Sequence, residues 1–485
     1  MKRVVILGAG IAGHTAALHA KRLIGKEAEI TVISPNSKWN WIPSNIWVGV
    51  GKMQPEQVTF PLAPIYSRKG INFHQALAKS IHPNGDATFD SPYVEISYTD
   101  PKRLGEMGKI PYDYLINATG PKLNFAATEG LGPDGYTVSV CTSGHAVEAA
   151  SQLRDVIAKL KNGEPQRLVI GVGHGTCTCE GAAFEYTFNI EHELQQAGVR
   201  DLAEIYYLTN EYELGDFGVG GMVFTQRGFQ TTSKLWTESL FRERKIHAIL
   251  GAHVFQVEEG LIHYEQVDGS KSELTFDFAM LLPPFRGADL KAFDRMGNDI
   301  SHQLFAPSGF MKVDADYTVK EYDQWRAEDW PKTYRNPIYP NIFAVGIAFA
   351  PPHQISKPRK SPNGTVIAPS PPRTGMPSGI MGKLAILSIN ELIKKGDSTQ
   401  LPTASMSDMG AACVASAGSG LRKGSAASMT MYPIVPDYQK YPNTGRSEKD
   451  TFGEIGLSGH WIKLLLHYMF IYKAKARPGW SLIPE

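Results

Sequence analysis

Six residues near the start of the chain restrict its fold more than any others. Gly8-Ala9-Gly10-Ile11-Ala12-Gly13 spells G-x-G-x-x-G between the apolar run Arg3–Leu7 and a helical pattern, Ile11–Leu23, with a second strand pattern at Glu29–Ile33. That order is a βαβ unit with its glycines at the first turn. Gly8 permits the tight turn, Gly10 lets backbone approach a pyrophosphate, and Gly13 lets helix pack on strand. The first helical N–H groups and the helix dipole then favour an anion at that end. A parallel sheet holding a dinucleotide follows. The acid that usually binds a ribose at the end of the second strand is missing, because Ser34 ends that strand with Asn36 nearby.

The pattern recurs further along. Lys109–Thr119 (KIPYDYLINAT) reads as a strand closing a domain, and His145–Lys161 as a helix. Arg167–Gly175 is a second strand and glycine turn, and Ile205–Thr209 a further strand. Asn341–Ala348 (NIFAVGIA) is another buried strand ending at a glycine. Pro351–Pro377 carries eight prolines and must be extended loop, and Gly379–Lys394 then reads as helix. Ser405–Met431 is rich in Ala, Ser, Gly and Met and carries Cys413. The expected fold class is α/β: two Rossmann-like dinucleotide-binding domains in tandem plus a C-terminal membrane-associating helical region. The expected division is 1–140 and 301–400 for the two parts of the first domain, 141–300 for the second, and 401–485 for the C-terminal region.

Composition narrows the function. The 485 residues are 42% hydrophobic with a net charge of +1. Large cores are therefore available, and nucleic acid is excluded as a partner, since no basic tract or stacking platform is present. The opening residues run straight into a strand, so no signal peptide is expected, and no apolar run is long enough to span a bilayer. Cys141, Cys177, Cys179 and Cys413 are the four cysteines. Their spacing suits neither a disulfide framework nor a zinc site, so no metal is expected; inert or redox-active thiols remain.

The second turn, Gly171-Val172-Gly173-His174-Gly175-Thr176-Cys177, has Cys177 in place of a third glycine. Glu211 stands one step late for a ribose hydroxyl. A working NADH site is not expected there. Two cysteines occupy the region instead.

The later segments resemble known signatures. Ala118-Thr119-Gly120 and Asn341–Gly346 look like those that close over FAD in two-domain flavoprotein oxidoreductases. More specifically, the chain resembles the sulfide:quinone oxidoreductases, through PSNIWVGVG (Pro43–Gly51), YLINATGPKL (Tyr114–Leu123), SVCTSGH (Ser139–His145), CEGAAFEY (Cys179–Tyr186), NIFAVGIA, PRTGMP (Pro372–Pro377) and AACVASAG (Ala411–Gly418). The resemblance implies FAD as cofactor, held by Gly8, Gly10, Ile11, Ala12, Gly13, Ser34, Ser44, Asn45, Ala78, Thr119, Gly120, Gly346 and Gly375. It implies that Cys179 and Cys413 are the pair bridging the flavin face, with Cys177 an additional thiol that is either structural or a competitor for that role. Cys141 matches the third family cysteine, which shuttles sulfur or binds the flavin covalently, and His145 a histidine of the same segment. Glu185 matches a proton-relaying glutamate. Asp216 replaces a histidine of some relatives, and Ser416 an acid.

The implied reaction is oxidation of sulfide to polysulfide or elemental sulfur by thiol exchange. Electrons pass to a membrane quinone lined by Gly375 and Val414. Such thiols need depressed pKa values. His460–Arg477 suits the membrane end: His460, Lys463 and His467 form a narrow polar stripe beside a wide apolar face, and Lys473, Lys475 and Arg477 follow. The expected location is peripheral and monotopic on the cell membrane, with a homo-oligomer left open. The alternatives are an NADH:quinone oxidoreductase of the same fold, a flavoprotein sulfide dehydrogenase subunit donating to a cytochrome, and a catalytically silent flavin scaffold.

Overall fold

The computed structural model describes residues 1–226, 228–373, 375–397, 399–419 and 423–485. Its first layer is built by β1 (Lys2–Leu7), α1 (Ile11–Ile24), β2 (Ala28–Ser34), β3 (Asn72–His82), β4 (Tyr93–Tyr98), β5 (Met107–Pro111) and β6 (Tyr114–Asn117). The second contains α2 (Ser143–Lys161), β7 (Gln166–Val172), α3 (Glu180–Gln196), β8 (Ala203–Leu208), β9 (Ile246–Ile249) and β10 (Phe278–Leu282). The chain then returns to the first sheet with β11 (Ile342–Ala344) and to its helix layer with α4 (Met376–Lys395). It ends in β12 (Ala411–Ser419), β13 (Lys423–Met431), β14 (Phe452–Gly456) and α5 (Leu457–Ala474).

The first sheet runs β11-β6-β1-β2-β3-β4-β5. It is parallel from β11 to β3 and antiparallel beyond. Val4, Val5, Ile6 and Leu7 of the central strand are all buried, as a parallel strand covered on both faces requires. The short strand Lys291–Ala292 also pairs with β3. The second sheet, β9-β8-β7-β10, is parallel throughout.

Three segments differ from the sequence reading. Lys109–Thr119 is two strands, because the chain turns at Asp113, whose carboxylate accepts hydrogen bonds from the Arg3 backbone N–H at 2.6 Å and from its guanidinium at 3.2 Å. α2 starts at Ser143, where Thr142 Oγ1 caps it by accepting from the His145 N–H. α4 starts at Met376, with Pro377 in the first turn, where no N–H is needed. The C-terminal region is also more than helical, since β12, β13 and β14 form an antiparallel sheet under α5. Its small residues allow that approach: a Cβ on Gly424 would lie 2.1 Å from the His460 ring. Among the described residues no helix is long and apolar enough to cross a membrane.

Candidate active site

The glycines of the first turn do two different jobs. A Cβ on Gly8 would meet the Ala118 carbonyl oxygen at 2.2 Å, and one on Gly13 the Gly8 oxygen at 2.1 Å. These two close β1, β6 and α1 upon each other. Gly10, Gly120 and Gly375 instead have nothing within 4 Å of the would-be Cβ. Gly10 and Gly120 follow the carboxyl ends of β1 and β6, and Gly375 precedes α4, each leaving open space beside the backbone. α1 begins at Gly10 with no side-chain cap and no acid in its first turn. Its free N–H groups are thus left for an anion, and a dinucleotide pyrophosphate fits the cradle.

Neighbouring residues were expected to join it. Ile11 and Gly375 line one small cavity. Ala12 packs on Gly346, where a Cβ would be 2.9 Å from the Ala12 methyl. Ser34 is buried at the end of β2, its Oγ accepting from Asn36 N–H. Thr119 Oγ1 donates to Asn117 Oδ1 at 2.8 Å. Ala78 is half-buried on β3 beside a bulge. Ser44 and Asn45 are wholly buried, and their side chains are engaged with His467 and Asn40.

Among the described residues the four cysteines are free thiols. Cys179 caps α3 in the left-handed region, φ 71, which is strained for a residue with a Cβ. Cys413 reaches across from β12 to the same helix end. A Cβ on Gly181 would lie 2.9 Å from its sulfur, so only glycine leaves it room. Cys141 adjoins Cys179 closely enough for their charges to interact, and its N–H donates to Ser139 Oγ. Cys177 is fully buried and its thiol donates to the Leu282 carbonyl at 3.1 Å. His145 lies against Phe125, ring centroids 6.0 Å apart, and burial lowers its pKa.

The depressed thiol pKa values expected from the sequence are not found. Burial pushes Cys179 up to about 12 and Cys413 and Cys141 to about 11. Two cations oppose this, Lys463 at Cys413 and Arg373 at Cys179. The Arg373 guanidinium is buried, donating to the Ile347 and Phe349 carbonyls, and neither it nor Lys463 was singled out as a site residue from the sequence.

Lys463 belongs to the polar stripe of α5, which points inward. His460, Lys463 and His467 are all buried. His460 Nδ1 meets Ser416 Oγ at 2.6 Å and His467 Nδ1 meets Ser44 Oγ at 2.8 Å. Lys463 Nζ donates to Glu185 Oε2 at 2.9 Å and to the Val414 carbonyl at 3.4 Å. Glu185 Oε1 accepts the Ser416 N–H at 3.1 Å. Burial raises the Glu185 pKa, against the pull of Lys463 and that N–H. Outside, Trp461, Ile462, Leu465 and Tyr468 are 41–63% exposed. The stripe's narrowness was the one available signal: three polar residues at helical spacing suit a buried seam better than a solvated face.

The second glycine turn is covered by the chain itself. Ala368 N–H donates to the Gly175 carbonyl and Ser370 N–H to the Cys177 carbonyl, both at 2.8 Å. Thr178 Oγ1 donates to the Ser370 carbonyl. The proline-rich loop thus lies where a second dinucleotide would approach. Glu211 is fully buried, accepting from Thr209, Tyr207 and the Phe217 N–H. It is closed to a ribose.

A sheet with a glycine cradle at its carboxyl edge, thiols beside it and a second, covered nucleotide fold defines a flavin-dependent oxidoreductase. The family model for pyridine nucleotide-disulphide oxidoreductase matches residues 2–282, and the chain belongs to that family; its cofactor is FAD. The chain is 27% identical to the sulfide-quinone reductase of Aquifex aeolicus over 98% of its own length and 91% of the relative's. The crystal structure of the Aquifex aeolicus sulfide:quinone oxidoreductase superposes with a TM-score of 0.74 at 26% identity, covering 98% of this chain and 92% of that one. NDH2 from Plasmodium falciparum in complex with NADH shares the fold, with a TM-score of 0.62, 15% identity, and 98% and 96% of the two chains covered.

Proposed function

We propose that this chain oxidises sulfide through Cys179 and Cys413 and delivers the electrons to a membrane quinone. The observation that carries the reading is the Cys413 sulfur lying against Gly181, two residues from Cys179 at the head of α3. Likeness in sequence and in structure to the sulfide-quinone reductase of Aquifex aeolicus supports it. Residues of the first glycine loop, with Ser34, Thr119, Gly120, Gly346 and Gly375, hold FAD, which when bound supplies a two-electron acceptor.

The chain's own residues do the sulfur chemistry. The two thiols would be joined as a bridge with loss of two electrons to the cofactor and two protons, and hydrosulfide attacks the Cys179 side of that bridge. A new S–S bond forms on Cys179, the bridge breaks, and its electron pair stays on Cys413 as a thiolate. Lys463 and the positive end of α3 favour that anion at Cys413. Cys141 passes sulfur to and from Cys179. Glu185, paired with Lys463, relays protons on the quinone side, where Val414 and Gly375 line the approach. The outward face of α5, apolar and followed by Lys475 and Arg477, lies on the bilayer. Cys177, committed to Leu282, is structural. The loop covering Gly175 disfavours an NADH-dependent reading.

Anaerobic titration with sulfide and with NADH, followed by flavin absorbance, tests this. Sulfide is expected to bleach wild type and Cys177→Ser but not Cys413→Ser, and NADH to bleach none of them. Normal bleaching of Cys413→Ser by sulfide, or reduction by NADH, overturns the reading.

A further inference from the structure

Of the two buried cations at the thiol site, one is paired and one is not. Lys463 has the Glu185 carboxylate at 2.9 Å. Arg373 is 4% exposed, and the ionisable groups near enough to act on it are Cys179 and Tyr317, with no carboxylate among them. Its guanidinium commits one nitrogen to protein carbonyls: Nη1 donates to Ile347 at 3.2 Å and to Phe349. Nε is buried and, among the described residues, has no partner. Cζ lies 4.6 Å from the Phe310 ring centroid and 5.3 Å from that of Phe349, contacts that suit a cation without neutralising it. Burial lowers the Arg373 pKa to about 10, so the charge persists at neutral pH. A buried guanidinium with no anion beside it is costly, and its retention implies an anion that a ligand brings.

Direct contacts place Arg373 between the cofactor cradle and the thiols. Its carbonyl accepts from the Ser378 hydroxyl at 2.6 Å, and the same Ser378 oxygen would be 3.2 Å from a Cβ on Gly346. Gly346 packs in turn on Ala12 of the first glycine loop. The guanidinium is held by Ile347 and Phe349, which follow Gly346 in the chain. On the other side Thr178, the residue before Cys179, donates to the Ser370 carbonyl at 3.0 Å and the Pro371 carbonyl at 3.4 Å. The segment leading to Arg373 therefore touches the turn that carries Cys179. A dinucleotide whose pyrophosphate lies at the head of α1 must run from that loop toward the thiols for its ring to meet them. Arg373 borders this path at both ends, and it is the cation there that the protein leaves without a carboxylate.

We propose that Arg373 supplies the positive charge that balances the bound flavin once it has taken up two electrons. The proposal rests on the reading that Gly346 and Gly375 border the cofactor, and it does not depend on which donor reduces it. On reduction the donor loses two electrons, and the flavin gains both together with one proton from water. The ring is left with one net negative charge, opposite the guanidinium, and no second proton has to enter. The oxidised ring carries no such charge, so Arg373 favours the reduced form and raises the flavin potential. The two cations of the site are thereby distinguished: Lys463 serves a carboxylate of the protein, Arg373 a charge that comes and goes with the electrons.

The flavin potential tests this, measured on the holoenzyme without sulfide, by slow anaerobic reduction beside a reference dye. At a given poise the flavin of Arg373→Met is expected to have a reduced-to-oxidised ratio at least about tenfold below wild type, a fall of about 30 mV in potential. Arg373→Lys, which keeps the charge, should lie between them. The slope of potential against pH counts protons. Wild type should take up one proton per two electrons around neutral pH, and Arg373→Met two. The wild-type slope alone serves if the Met variant does not retain FAD. Equal potentials in wild type and Arg373→Met, or uptake of two protons by wild type, overturn the proposal. A Met variant that binds FAD more weakly at an unchanged potential also overturns it, and assigns the guanidinium to the pyrophosphate. Since no sulfide is present, failure here leaves the sulfide reading standing, and failure of the sulfide titration leaves this proposal standing.

Discussion

Replacing Lys463 with Met tests whether the C-terminal helix is part of the site. The ammonium is 2.9 Å from Glu185, and both residues are less than a tenth exposed. Without it Glu185 keeps one donor, the Ser416 N–H, in an apolar setting. Removing one member of a buried ion pair costs about 3–5 kcal/mol when the other stays charged. Glu185 can escape by taking a proton, and its pKa, already raised by burial, rises further in the variant. A carboxyl raised on folding contributes stability that is complete below its unfolded pKa and is lost as pH rises through the folded value. Lys463→Met should therefore be least destabilised at acid pH, where Glu185 carries a proton, and lose progressively more stability at higher pH as the carboxylate forms. The double variant Glu185→Gln/Lys463→Met should recover about 2 kcal/mol of that loss at the higher pH, since no charge is stranded. Urea denaturation of the four proteins in the cycle measures this. A penalty independent of pH, or a double variant as unstable as Lys463→Met at the higher pH, would refute the pairing as described.

Three further outcomes are expected. Gly10→Leu places a side chain in open space that the cofactor needs, so the protein should fold but purify without flavin colour, checked by absorbance and circular dichroism. Burial lifts Glu211 from 4.5 to about 7, so relative to Glu211→Gln the wild type should lose roughly 3 kcal/mol of stability as pH rises across that interval, at about 1.4 kcal/mol per pH unit, measured by denaturation at several pH values. Leu465→Asp with Tyr468→Asp changes side chains more than half exposed, so stability should stay within about 0.5 kcal/mol while co-sedimentation with anionic vesicles falls at least several-fold.

The parts legible in the sequence are those whose requirement is local. Gly8 and Gly13 answer contacts made within one βαβ unit, and the Arg3–Leu7 run is apolar because a central parallel strand is covered on both sides. Ser44 was read as a cofactor residue from its segment alone. Its hydroxyl also meets His467, 423 positions away in the chain, a contact that no local pattern contains. Cys177 and Cys179 were hard to separate for the same reason. The difference between them is a left-handed backbone at one and a carbonyl acceptor on a distant strand for the other. The Ala-, Ser- and Gly-rich stretch around Cys413 gave no period, because its small residues are selected for the close approach of α5 and not for strand alternation.

For α5 the period was right, but the period does not say which way the helix faces. A helix lying on a protein in water turns its apolar side inward. This one turns His460, Lys463 and His467 inward, onto Ser416, Glu185 and Ser44, and leaves Leu465 and Tyr468 outside. Such an orientation is favoured when the inner polar groups are satisfied and the outer apolar face is covered, as the proposed bilayer contact would cover it. Both conditions tie the helix to its place. Lifting it away would strand Glu185 without its cation and take the Ser416 and Ser44 partners with it. The proposed bilayer face and the wall of the thiol site are therefore two sides of a single helix, and a change that weakens either side should be felt at the other.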